Sequence, residues 1–319
     1  MRDDKTFTGE KPIIVIGERP DVVPGQTEGE VPVITIEESA DTPTIEANKR
    51  SRKWLTILLA VVASSVAFVL LCGVWLTYRY FFDFGVPVGT STTENIAKLK
   101  RISTRADKDG NIVVTCDSIL GVAMNFYELH NLKAEIMLTR PDTADTSVLL
   151  CTRCADYTAD GRYLGSLVAG GKELQTDRSR VGYCAMANGN TVIGISRSER
   201  VKDYCEERGG SFFRQFVLVS DGVLPARFVL HGKVERRALG RMADDRLYII
   251  ETRHKETLWD FADALREYGF VDAIYLTGGT SRSWYRSGDN KLHYIGDMNE
   301  PVKGNLNNKV PWLVFRKRF

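Results

Sequence analysis

Residues 246–281 read RLYIIETRHKETLWDFADALREYGFVDAIYLTGGTS. The run Arg246–Thr252, with its aromatic and β-branched residues, predicts a strand. Thr257, followed three residues later by Asp260, has the spacing of a capping box and predicts a helix start. Leu258, Phe261, Leu265 and Tyr268 recur at helical spacing, so one face of that helix packs on a core. Gly269 stands where a left-handed helix terminus belongs. Val271–Leu276 predicts the next strand, and Thr277-Gly278-Gly279-Thr280-Ser281 a glycine-rich turn at its end. Ligands tend to bind at loops beyond the carboxyl ends of strands in such units.

Upstream, Asn111–Cys116, Ser147–Thr152, Val181–Ala187 and Thr191–Ser196 are short apolar runs that predict further strands. Ser198–Arg208 predicts a helix ended by Gly209-Gly210, and Ser211–Ser220 (SFFRQFVLVS) one strand running into an Asp221-Gly222 turn. Residues 110–319 therefore read as one α+β domain, a mixed β-sheet with packed helices. Residues 79–109 read as a stalk, with Gly85, Pro87 and Gly89 as breakers.

Trp54–Tyr78 holds 25 residues without a charge or a histidine. At ~1.5 Å per residue such a helix reaches about 37 Å, enough for a bilayer core of about 30 Å. Lys49, Arg50, Arg52 and Lys53 precede it and Arg79 follows. Basic residues stay inside, so the expectation is a single-pass transmembrane helix over 54–78 with residues 1–53 cytoplasmic and the domain extracytoplasmic, as in a bacterial inner membrane facing the periplasm. Residues 1–47 carry 11 acidic and 4 basic side chains, a net of −7, with five prolines and few aromatics. That composition predicts a disordered tail. Its β-branched runs Ile13–Ile16 and Val33–Ile36 could dock on a cytoplasmic partner.

The whole chain is nearly balanced, with Lys+Arg 43 against Asp+Glu 41, and no basic run with interleaved aromatics argues for nucleic acid. Cys116, Cys151, Cys154, Cys184 and Cys205 lie beyond the span, an odd number whose pairing the sequence leaves open. Cys151-Thr-Arg-Cys154 has a CxxC spacing but no second ligand pair, and the histidines are scattered, so buried thiols or disulfides are expected rather than a metal or redox centre.

Three segments carry candidate chemistry. In 277–281 the paired glycines let a ligand approach the backbone, and N–H groups with the hydroxyls of Thr277, Thr280 and Ser281 can hold phosphate or sugar oxygens. In Glu235-Arg236-Arg237-Ala238-Leu239-Gly240, guanidinium forks match a phosphate, although in a strand the two arginines face opposite ways. Ala187-Asn188-Gly189-Asn190 has the form of a hairpin turn.

Together the three segments resemble the phosphodiester glycosidase family. The resemblance runs from Asn188-Gly189 through Phe212–Val219, Asp221-Gly222 and Arg236–Gly240 to Tyr275–Ser281, over about residues 110–319. It looks closest to a divergent exported bacterial branch. It implies a domain that binds, and hydrolyses, a sugar phosphodiester of an envelope glycan. Arg236 and Ser281 are then the implied catalytic residues. Asn188, Gly189, Arg214, Arg237, Thr277, Gly278, Gly279 and Thr280 are the implied substrate contacts. The implied partners are the lipid bilayer and a glycan or sugar-phosphate ligand; no cofactor is required by the sequence, and a divalent cation is compatible with it. Where the family pattern has the acid of Leu-Asp-Gly-Gly, this chain has Thr277, and Arg237 replaces a threonine. The lost carboxylate leaves Glu235, Asp272, Asp289 or His231 as substitutes, and it supports an alternative, a non-catalytic glycan- or partner-binding protein on the same fold.

Overall fold

A computed structural model describes residues 46–82, 92–102, 110–158, 160–226, 228, 230, 232–278, 282–295 and 310–318. The acidic tail before residue 46 lies outside the described residues, with its two β-branched runs. The chain divides into two units, Met1–Ala63 and Ser64–Phe319. α1 (Glu46–Phe82) crosses that division as one helix. Its Lys53–Arg79 stretch, 27 residues with none buried, is long and apolar enough to cross a bilayer. It is consistent with single-pass anchoring.

In the second unit every registered strand pair is antiparallel. A six-stranded sheet has the order β1-β2-β12-β11-β13-β10, where β1 is Asn111–Ile119, β2 Val122–His130, β10 Val217–Val219, β11 Arg237–Arg241, β12 Leu247–Thr252 and β13 Asp272–Leu276. β11 sits between β12 and β13 and pairs with both. The crossover between those two strands is α4 (Leu258–Tyr268). The predicted cap is present: the Thr257 hydroxyl accepts the Asp260 N–H at 3.0 Å, and Gly269 closes the helix with φ 107°. Leu258, Phe261 and Leu265 bury against Phe126, Val219 and Ile250 on one face of the sheet.

Two five-stranded sheets complete the unit. One runs β15-β14-β4-β16-β3, with β3 Leu132–Met137, β4 Val148–Arg153, β14 Ser283–Arg286, β15 Leu292–Ile295 and β16 Trp312–Lys317. The other runs β6-β5-β9-β7-β8, with β5 Leu167–Ala169, β6 Lys172–Gln175, β7 Gly182–Ala187, β8 Asn190–Ile195 and β9 Ser211–Gln215. The main core lies where all three sheets meet: Leu239, Ile274 and Leu276 from the first, Leu149 and Leu313 from the second, Cys184 and Phe213 from the third. α2 (Thr92–Lys100) and α3 (Arg200–Glu207) cover the third sheet, burying Leu99, Val201 and Cys205 against Tyr183 and Phe212. Leu99 thus packs in the core from within the stretch that the sequence reads as a stalk.

The apolar run Ser211–Ser220 is not one strand but two. β9 belongs to the third sheet and β10 to the first, with the break at Phe216. The Gln215 amide oxygen accepts the Phe216 N–H at 3.0 Å, and the Phe216 carbonyl accepts the Tyr275 N–H of β13 at 2.9 Å. A side chain thus takes over a backbone donor where the ladder changes sheets. All six cysteines are free thiols, and Cys151, Cys154, Cys184 and Cys205 are buried.

Candidate functional site

The end of β13 and the break between β9 and β10 meet a third segment, the loop that leaves β4. Asp156 sits on that loop. Its Oδ1 accepts the Thr277 hydroxyl at 2.9 Å and its Oδ2 accepts the Gln215 side-chain amide at 3.3 Å. Arg180, just before β7, lays its guanidinium 3.8 Å from the centre of the Phe216 ring. Burial pulls the Arg180 guanidinium below its ordinary value, and the charges of Asp177 and Asp156 oppose that pull. The Phe216 ring meets the Tyr275 ring edge-on at 6.5 Å. Burial and the Asp156 charge raise the Tyr275 phenol above its usual value, against hydrogen bonds from the Gly278 N–H and the Arg236 side chain. The phenol therefore stays protonated at neutral pH, between a cation and an anion.

Of the sequence-predicted residues, Thr277, Gly278 and Arg236 come to this place. Gly278 is required there by space: a Cβ would lie 2.9 Å from the Arg237 nitrogen and from the Glu235 carbonyl oxygen. Arg236 is 3% exposed; its Nε and Nη2 donate to the carbonyls of Glu256 and Gly232 at 3.0 and 2.7 Å. Its backbone lies against Gly278 at the turn. Gly279, Thr280 and Ser281 lie outside the described residues, as does His231.

The other predicted residues sit elsewhere. Arg237 faces away from Arg236 into the three-sheet core, fully buried, with Nη2 on Glu251 at 2.5 Å and Nη1 on Ser283 at 2.8 Å. Arg214 is the strand neighbour of Gln215 and points to the opposite face of β9. It is fully buried and donates to the Ser196 and Ser198 carbonyls and, at 3.1 Å, to Glu199. Asn188 and Gly189 form the β7–β8 turn with φ 51° and 75°, and Asn188 donates to the Leu99 carbonyl at 3.0 Å. The Gly182↔Gln215 pair is at the other end of β7. At ~3.3 Å per residue the six steps from Gly182 to Asn188 put about 20 Å between Asn188 and Gln215. Asp272, paired with Arg241, begins β13 whereas the turn follows its end, and Asp289 is exposed in the β14–β15 turn.

Sequence reasoning missed Asp156, Arg180, Gln215 and Tyr275. Asp156 reads as part of the turn Ala-Asp-Tyr-Thr after the CxxC, and Gln215 as one polar residue in an apolar run. That interruption was the only local signal. Both CxxC thiols are buried, and burial pushes the Cys151 thiol up to about 12 and Cys154 higher still. Among the described residues no three His, Cys, Asp or Glu side chains gather as metal ligands.

A family model of phosphodiester glycosidases matches residues 151–314. The chain belongs to the phosphodiester glycosidase family. The matched span contains every residue of the Asp156–Thr277 cluster. Among solved structures, the chain is similar to the zebrafish N-acetylglucosamine-1-phosphodiester alpha-N-acetylglucosaminidase catalytic domain auto-inhibited by its pro-peptide. The TM-score is 0.47 at 15% identity, over 69% of this chain and 86% of that one. A hypothetical protein from Synechocystis is similar at TM-score 0.47 and 9% identity, over 65% of this chain and 62% of that one. A putative exported protein from Burkholderia pseudomallei gives TM-score 0.24 and 13% identity, over 66% and 58%. No curated protein matches the chain. The phosphodiester glycosidase fold supports a glycosidase-like hydrolase.

Proposed function

We propose that this chain is a single-pass membrane protein whose extracytoplasmic domain binds and hydrolyses a sugar phosphodiester of an envelope glycan, at the outer face of a bacterial inner membrane. Family membership and the apolar Lys53–Arg79 helix support this reading. The observation that carries it is the pair of arginines at the β13 turn: Arg180 stacked on Phe216, and Arg236, whose backbone lies against Gly278. A sugar phosphodiester bears one negative charge, and hydrolysis at the sugar carbon leaves a phosphate monoester with more. Fixed cations and N–H donors beside the leaving oxygen stabilise that change. The Gly278 backbone orients the substrate in this reading, and the Thr277 hydroxyl is turned to Asp156.

The test uses the full chain in detergent or nanodiscs. Candidate substrates are N-acetylglucosamine 1-(methyl phosphate) and its hexose counterparts, and release of methyl phosphate is followed. Turnover that drops at least tenfold in Arg180→Ala and Arg236→Ala supports the reading. Binding without turnover by any of these compounds favours the glycan-binding alternative that Thr277 suggests. Orientation is tested apart: protease added to spheroplasts should digest the part after Tyr78 and spare the tail, and the reverse would overturn it.

A further inference from the structure

The β13 turn lacks the carboxylate of the family pattern, yet a carboxylate is there. Thr277 does not end in empty space; its hydroxyl donates to Asp156 Oδ1 at 2.9 Å, across 121 residues of chain. Gln215 fixes the second oxygen, so both strand ends aim one carboxylate. Asp156 is half-buried, and an ionised carboxylate accepts about four hydrogen bonds, so two strand-end donors leave acceptor capacity for a water. The titratable groups around it are Arg180 from the segment before β7, Tyr275 from β13 and Cys154 from its own loop, with Arg236 behind Tyr275.

We infer that Asp156 is the general base of this glycosidase, carried on the β4 loop in place of a carboxylate on β13, with Thr277 and Gln215 as its positioning residues. The inference rests on the hydrolase reading above. In the step, a water oxygen bonds to the anomeric carbon. The bond from that carbon to the phosphate oxygen breaks, and its electron pair stays on the phosphate. The water's proton passes to Asp156 and from there to solvent. The products are the free sugar and a phosphate monoester. Most glycosidases need a second carboxyl group to protonate an alkoxide leaving group. A phosphate leaves as a stable anion, held by Arg180 and Arg236, so a single carboxylate suffices.

The experiment compares five full-length proteins on the substrate that the wild type turns over: wild type, Asp156→Asn, Thr277→Asp, the double variant of these two, and Thr277→Val. General-base loss should lower kcat about 10²–10⁴-fold in Asp156→Asn with KM nearly unchanged, and remove the acid limb of the pH–rate profile. Thr277→Asp in the Asp156→Asn background should restore about tenfold or more by putting the carboxylate back on β13. Thr277→Val, which keeps the carboxylate and removes one of its donors, should lower kcat and leave KM in place. It tests the arrangement even if Asp156→Asn misfolds. Wild-type turnover with Asp156→Asn within about threefold of it would overturn the base assignment and leave the hydrolase reading standing. An unchanged kcat in Thr277→Val would overturn the positioning. A wild type without turnover would remove both readings together.

Discussion

Removing the Arg237 charge should unfold this domain more readily than any loss at the surface. Arg237 has no exposed surface, and its partner Glu251 is 6% exposed. Nη2 lies 2.5 Å from Glu251 Oε1, while Nη1 donates to Ser283 at 2.8 Å, Thr152 at 3.1 Å and the Thr277 carbonyl at 3.3 Å. Burial holds the Glu251 carboxyl above its ordinary value even with this cation against it. Arg237→Met keeps most of the stem volume, so little of the effect would come from a void. Thr152 and Ser283 still hydrogen-bond each other at 3.0 Å, so they add little to the loss. What remains is a buried carboxylate without its cation, a loss of about 3–5 kcal/mol. For a domain of this size that corresponds to a fall in Tm of roughly 10–15 °C. Urea unfolding followed through the buried Trp284 would measure it. Adding Glu251→Leu should recover most of the loss, because no unpaired charge is left inside. A loss under about 1 kcal/mol for Arg237→Met, or a double variant as costly as the sum of its singles, would refute the reasoning.

Arg214→Lys should destabilise by about 2–3 kcal/mol, because a lysine cannot reproduce the fork to Ser196, Ser198 and Glu199, and should leave KM unchanged; a raised KM with unchanged stability would return Arg214 to the site. Gly278→Ala should lower turnover at least tenfold by displacing the β13 turn from Arg237 and Glu235, with activity and thermal melting measured side by side. Burial pushes the Asp177 carboxyl up, but N–H groups of Ser179 and Gly165, the Ser179 hydroxyl and Arg180 together hold it below its usual value. A lowered folded-state value means stabilisation that is present at neutral pH and lost as pH falls below about 4. The gap in Tm between wild type and Asp177→Asn should therefore narrow on acidification; a constant gap across that range would contradict the assignment.

Local signals in the chain determined much of the framework. The uncharged run of α1, the Thr257 cap, the apolar face of α4 and the Gly269 terminus depend on residues within a few positions of one another, and the structure contains all of them. The opposed directions of Arg236 and Arg237 follow from strand alternation alone. Tertiary structure decided the rest. Whether an arginine is spent inside or faces a ligand depends on what lies across the fold, and Glu199 and Glu251 claim Arg214 and Arg237. The division of Ser211–Ser220 into two sheets depends on which neighbours accept its backbone, which periodicity does not encode. The carboxylate beside Thr277 is the sharpest case. Asp156 reads as a turn residue, and only packing of the β4 loop against the ends of β9 and β13 brings it to the Thr277 hydroxyl. Spacing along a chain governs helices, strands and caps; a site assembled from three sheets is governed by contacts between segments far apart in sequence.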